Sequence, residues 1–193
     1  MYETVVTRQT GETNITLAMG SNVKMDINTG IGFFDHMLHL FAFRFGMNLQ
    51  LKCEGDLHID NHHTVEDVGL VLGKALLQIW SKLDGFHRYG EAAIPMDESL
   101  ARCILDISGR PFLHITVPGE KFPCERVGDF ETEMVEEFFR AFAQEARITL
   151  HISVEYGKNA HHMIEAMFKA FGVALKQALE VVATGVPSTK GIL

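Results

Sequence analysis

Apolar residues recur along this chain at two spacings. Strict alternation marks Asn14–Met19, Leu49–Leu51, Leu100–Leu105, Phe112–Val117 and Ile148–Val154 as half-buried strands. A period near 3.6 predicts helices over about 33–45, 64–83, 130–146 and 162–183. Val65, Val68, Leu72, Leu76, Ile79 and Leu83 form one apolar stripe, and Ile164, Met167, Phe168, Phe171, Leu175 and Leu179 form another. Pro111, Pro118 and Pro123 fall in or beside the loops between them, where no ladder hydrogen bond is lost.

The elements repeat. His36–Ala42 aligns without a gap over Glu137–Ala143, and each segment starts thirteen residues before a strand, at Leu49 and Leu150. Past that strand the first copy takes eleven residues from Leu51 to His62, and the second takes nine from Ile152 to His161. A turn absorbs the difference. Each half therefore reads strand, strand, helix, strand, helix. The plan is α+β, an internally duplicated half with helices on one face of a sheet, and the halves cover about 1–88 and 89–193 of one compact domain.

At 193 residues and 47% hydrophobic content the chain can bury a substantial core. It has no apolar run long enough for a membrane span and no basic-then-apolar leader, which predicts a soluble, cytoplasmic protein. Cys53, Cys103 and Cys124 are odd in number and widely spaced, so they read as reduced core thiols. A net charge of −8 without a Lys/Arg run argues against nucleic acid.

The candidate chemistry lies within the repeat. His62-His63-x-x-Glu66 and His161-His162-x-x-Glu165 open the two long helices, and imidazole with carboxylate is a usual donor set for divalent cations. With the aligned pair His36 and Glu137 this gives eight candidate ligands. Neighbouring helical residues diverge by about 100°, so two ions are the simpler arrangement. His39, His58, His87, His114 and His151 have no matched partner and read as structural; His151 alternates with Leu150 and Ile152 and should face solvent or a neighbouring chain. Arg88, Arg110 and Ser188–Lys190 occupy Gly- and Pro-flanked loops from which they could reach one phosphate.

These residues resemble the imidazoleglycerol-phosphate dehydratase family over nearly the whole chain. The likeness runs through Arg8-x-Thr10-x-Glu12-Thr13, Phe34–Leu38, Gly55–Asp60, His62–Asp67, Asp106–Pro111, Asn159–Phe171 and the Pro187–Gly191 end. It implies a ribosomal protein S5 domain 2-like fold with four-stranded sheets, and two Mn²⁺ per active site. One ion would sit among His36, His63, His161 and Glu165, and the other among His62, Glu66, Glu137 and His162. The resemblance also implies catalytic roles for Glu12, Glu66 and Glu165. It places Arg44, Arg88, Arg110, Lys169, Ser188, Thr189 and Lys190 at the substrate with Glu12, Glu66, His36, His62, His63 and His161. Glu12 is the candidate acid/base, with Asp97 and Glu98 as internal competitors. Family members form 24-subunit homo-oligomers that share sites between chains, and no membrane or nucleic-acid partner is implied.

The implied reaction converts D-erythro-imidazole-glycerol phosphate to imidazole-acetol phosphate in L-histidine biosynthesis. A glycerol C–H is not acidic, so the substrate ring, held as a metal-bound imidazolate, would push out the hydroxyl before Glu12 takes the neighbouring proton. Activity should then fall as pH drops through roughly 6. A binuclear phosphatase or hydrolase, or a structural protein assembled by metal, are the alternatives that the donor set alone leaves open.

Overall fold

The computed structural model describes residues 3–182. The first half contains β1 (Glu3–Gln9), β2 (Thr13–Gly20), β3 (Asp26–Asn28), α1 (Gly32–Phe45), β4 (Asn48–Gly55) and α2 (His62–Trp80). The second contains β5 (Tyr89–Met96), β6 (Ser99–Asp106), β7 (Phe112–Thr116), a small hairpin of β8 (Arg126–Val127) and β9 (Phe130–Glu131), α3 (Met134–Ala146), β10 (Thr149–Tyr156) and α4 (Ala160–Ala178). The strand orders are β1-β2-β4-β3 and β5-β6-β10-β7, so the duplication holds at the level of topology. In both sheets three strands run antiparallel and the last joins its neighbour in parallel, β3 to β4 and β7 to β10.

Each four-stranded sheet carries one strand more than the strand-strand-helix-strand-helix plan, and the second half adds the β8–β9 hairpin. In the first sheet the edge strand β1 buries little beyond Thr4 and Val6, and β3 has three residues, so neither offers a long alternation. In the second, β5 contains Gly90 and Pro95; an edge position tolerates the missing Pro95 donor.

The helix limits also differ. α2 starts two residues earlier than the apolar stripe and stops at Trp80, with Leu83 in the turn that follows. α3 begins at Met134, not 130, because Phe130 and Glu131 pair with Arg126 and Val127; Phe130 then packs its ring against Phe33 and Phe34. α4 covers 160–178 instead of 162–183. It opens where the Asn159 side chain accepts the His161 N–H at 2.9 Å, and Val181 beyond its end bridges to Phe86.

The two sheets enclose a layer made by the four helices. α1 packs on α4 and α2 on α3, so each helix finds its partner in the other half and one hydrophobic cluster draws on both. Glycines permit the close crossings. A Cβ on Gly69 would lie 2.8 Å from the Phe138 carbonyl, and one on Gly172 would lie 2.7 Å from that of Phe41. Tightest is Gly90, where a Cβ would fall 1.9 Å from the Ala174 carbonyl oxygen.

Partners run in the same direction. His36 and Glu165 meet near the starts of α1 and α4, while Phe41 meets Gly172 further along; Trp80 donates to the Ala146 carbonyl where α2 and α3 both end. The β8–β9 hairpin joins the pairs. The Asp129 carboxylate accepts the Gly32 N–H at 3.0 Å at the start of α1, and its carbonyl accepts from Asn61 at the start of α2. All four helices therefore begin at one end of the molecule, where both His-His pairs lie.

Cys53 and Cys103 are buried, and burial pushes the Cys53 thiol up to about 12 and raises Cys103 as well. Cys124 is exposed in the loop before β8, so it is not a core thiol. Its neighbours alternate too little for sequence to fix its burial.

Candidate metal and substrate site

Three donors meet where α1 and α4 start. His36, His161 and Glu165 bring one ligand atom each to within 4.8 Å of one another, the one such cluster among the described residues. Glu165 Oε2 lies 3.2 Å from His161 Nε2 and 3.7 Å from His36 Nε2. Its other oxygen, Oε1, is 2.5 Å from Lys169 Nζ. Burial opposes the Glu165 charge, yet Lys169, His161 and His36 outweigh it and keep the carboxyl below its ordinary range. Phe33 meets the His161 ring edge-on at 5.0 Å and restricts how it turns. Two imidazole nitrogens and an ionised carboxylate fit a divalent transition-metal cation.

On α2 the donors spread apart. His62 Nε2 lies 3.9 Å from Glu66 Oε2, one turn on. His63 instead faces the opposite way, with Nδ1 3.0 Å from Asp56 Oδ2 and Nε2 3.6 Å from Glu12 Oε1. Asp56 thereby raises the His63 pKa above the ordinary imidazole value. Within one chain His63 does not join His36, His161 and Glu165.

His162, on α4, has a matching environment. Its Nδ1 is 2.7 Å from Glu98 Oε2 and its Nε2 3.8 Å from Asp97 Oδ2. Glu98 occupies the β5–β6 turn as Glu12 occupies the loop between β1 and β2. The two are used differently. Glu98 Oε1 also accepts the N–H groups of Lys158 and Asn159 at 3.2 and 2.9 Å. The His162 bond and these donors hold the Glu98 carboxyl far below the usual range, which leaves it a very weak base. Glu12 is fixed through its backbone: its N–H donates to Thr10 Oγ1 at 3.1 Å and its carbonyl accepts the Asp56 N–H at 3.1 Å. Its half-exposed carboxylate lies beside His63 without a hydrogen bond to it.

The remaining sequence candidates divide. Glu137 is gripped by Arg140, at 2.8 and 2.9 Å, and stands outside any donor cluster among the described residues; Glu136 takes the other guanidinium nitrogen. Arg44 lies in the last turn of α1, eight residues or about 12 Å along the axis from His36, so it does not share that residue's site within the chain. Its guanidinium rests against Phe43. Arg88 and Arg110 do converge. Arg88 Nε donates to Asp106 Oδ1 at 2.6 Å, and Arg110 approaches Asp106 Oδ2 at 3.9 Å with most of its side chain in solvent. Lys169 is spent on Glu165 and is not a free cation. Ser188, Thr189 and Lys190 lie outside the described residues.

Sequence reading missed Asp56 and Asp129, and saw Glu98 only as a competing base. Asp56 lies inside the Gly55–Asp60 motif, in the loop ahead of α2, so no helical geometry ties it to His63. Asp129 acts across 97 residues. Asp67 was equally hidden: buried in α2, it accepts a hydrogen bond from Thr13 Oγ1 at 2.5 Å and forms an ion pair with Arg8, whose Nε lies 2.9 Å away, which ties the Glu12 loop to the helix bearing His62 and His63.

Comparison with known proteins finds a family match. The sequence profile described as imidazoleglycerol-phosphate dehydratase matches residues 29–175. The chain belongs to the imidazoleglycerol-phosphate dehydratase family. A dehydratase of that name from Acetivibrio thermocellus is 53% identical over 192 residues, 97% of either chain, and one from Oceanobacillus iheyensis is 48% identical over 197 residues, all of both. The crystal structure of the Staphylococcus aureus family member superposes with a TM-score of 0.85 at 43% identity, covering 94% of this chain and 100% of that one. The Pyrococcus furiosus member, in complex with (S)-C348, gives 0.86 at 37% identity, covering 97% and 100%. The α+β, duplicated fold read from sequence is that of this family.

Proposed function

We propose that this dehydratase-family chain converts D-erythro-imidazole-glycerol phosphate to imidazole-acetol phosphate in L-histidine biosynthesis, using two Mn²⁺ held by the doubled His and Glu set. The observation that carries the reading is the meeting of His36, His161 and Glu165 in a chain aligned end to end with dehydratases. The ions, when bound, supply electrophilic polarisation of the substrate's imidazole ring.

The chain's own residues account for the rest. Lys169 keeps Glu165 ionised and fixes its rotamer, so Oε2 stays turned toward the two imidazoles. Glu66 offers the equivalent carboxylate beside His62. Glu12 is the proton acceptor: its backbone is anchored, its carboxylate has only a loose 3.6 Å approach to His63, and the matching Glu98 is tied up by His162 and two backbone donors. Arg110, steadied through Asp106 by Arg88, reaches into solvent as a phosphate ligand.

One chain unites three of the four donors of the first proposed set. His63, the fourth, lies outside that cluster, which favours completion of each set by a neighbouring subunit in a homo-oligomer, with 24 copies as the family resemblance implies. In this arrangement Glu137 exchanges Arg140 for a metal ion, or leaves the ligand set. No helix among the described residues is long and apolar enough to cross a membrane, in keeping with a cytoplasmic enzyme.

The test is a product assay with imidazole-glycerol phosphate and Mn²⁺. An enolisable ketone with phosphate retained supports dehydration, while release of inorganic phosphate would establish the hydrolase alternative. Anomalous scattering at the manganese edge would count the ions and decide Glu137.

A further inference from the structure

The second histidine of each His-His pair leans on a carboxylate, and the two carboxylates come from unrelated places in the fold. Asp56 follows β4 and reaches His63 Nδ1 at 3.0 Å; Glu98 sits in the β5–β6 turn and reaches His162 Nδ1 at 2.7 Å. An ionised carboxylate only accepts hydrogen bonds, so each contact places the proton on Nδ1 and leaves the Nε2 lone pair free. Beyond those Nε2 atoms stand Glu12 at 3.6 Å and Asp97 at 3.8 Å, both outside hydrogen-bond reach.

We propose that Asp56 and Glu98 are positioning residues that fix the tautomer and ring orientation of His63 and His162, so that each presents Nε2 to a divalent cation. This rests on the metal reading above and assigns its outer layer. The two halves reached the same end by different routes. In the second half the hairpin glutamate does the holding; in the first, Asp56 does it, and the hairpin glutamate, Glu12, is released for other work. The sequence repeat conceals this, because the matched residues Glu12 and Glu98 have different tasks and the residues with the same task do not align. Removing such a partner typically weakens metal binding by ~10- to 100-fold.

The experiment titrates Mn²⁺ into full-length, assembled protein and reads the free ion by electron paramagnetic resonance. Asp56→Ala and Glu98→Ala should each raise the Mn²⁺ Kd by ~10- to 100-fold. Asp56→Asn and Glu98→Gln, whose amide oxygens still accept from Nδ1–H, should recover part of the loss. Melting in chelator should leave Asp56→Ala close to wild type, since His63 is the one side-chain partner of Asp56 among the described residues. Glu98 also holds two backbone N–H groups, so its variants can shift the start of α4; the Asp56 pair, with no such duty, decides the matter. Unchanged Kd and stoichiometry in Asp56→Ala would overturn the inference. A wild-type protein that takes up no Mn²⁺ would overturn the metal reading itself, and this inference with it.

Discussion

Lys169 and Glu165 form an ion pair at the threshold of the site: Nζ meets Oε1 at 2.5 Å, while the other carboxylate oxygen faces His36 and His161. Both side chains are mostly buried, so the pair cannot be replaced by water on either side. Lys169→Met should strand the Glu165 charge and cost about 3 kcal/mol of folding stability. Urea denaturation of metal-free protein measures this, and a loss under about 0.5 kcal/mol would show that the ammonium contributes little.

Glu12→Gln keeps the shape of the side chain and removes its basicity. Turnover should fall ~10²- to 10⁴-fold with Mn²⁺ stoichiometry and substrate affinity close to wild type. Steady-state kinetics with calorimetry on the same preparation separate the two effects. Turnover within a factor of about three of wild type would move the proton transfer to another residue.

Acid should strip the metal earlier than free imidazole suggests. Asp56 and Glu98 both raise the pKa of the histidine they touch, so in metal-free protein the imidazolium form of each is favoured. That stabilisation is full below about 6.5 and disappears as pH rises through the elevated folded-state value. Glu98, whose pKa is depressed, contributes above about 4.3 and loses its share only in stronger acid. Protons and Mn²⁺ compete for the same rings, so release on acidification should begin at a higher pH than for rings at the unperturbed imidazole value of about 6.5. A pH titration of bound Mn²⁺ checks this, and a midpoint under about 6 would contradict it.

Gly90→Ala should be among the most damaging single changes in the fold. The added methyl would collide with the backbone of α4 at Ala174, and a carbonyl inside a helix cannot swing aside as a side-chain tip can. A loss of about 2 to 3 kcal/mol is expected, read as a lowered melting temperature. The same change at Gly11 meets no atom within 4 Å and serves as the control.

Much of the framework was legible because it is periodic. The apolar stripes of α2 and α4 and the alternation in β2, β6 and β10 follow directly from one buried face per element, and the repeat multiplied each signal by two. Phe130 was misread for the same reason: an apolar residue ahead of an amphipathic helix fits the helical period until a short hairpin claims it. The His-His-x-x-Glu units were also visible, since their spacing is itself the helix geometry. Contacts across long separations were not. Asp129 caps α1 from 97 residues away, and Glu98 holds His162 from 64 residues away. Nothing in the local pattern tells which carboxylate is held and which is free, and Glu12 and Glu98 show how far two matched residues can part.

The exchange of helix partners between halves has a further consequence for how the chain behaves as a polymer. Neither repeat can close its own apolar layer, so unfolding should proceed without a surviving half. Fragments severed near residue 84 should each stay loose in isolation and regain order only when mixed. An ancestor with a single repeat would have needed a second copy of itself to exist as a folded protein at all.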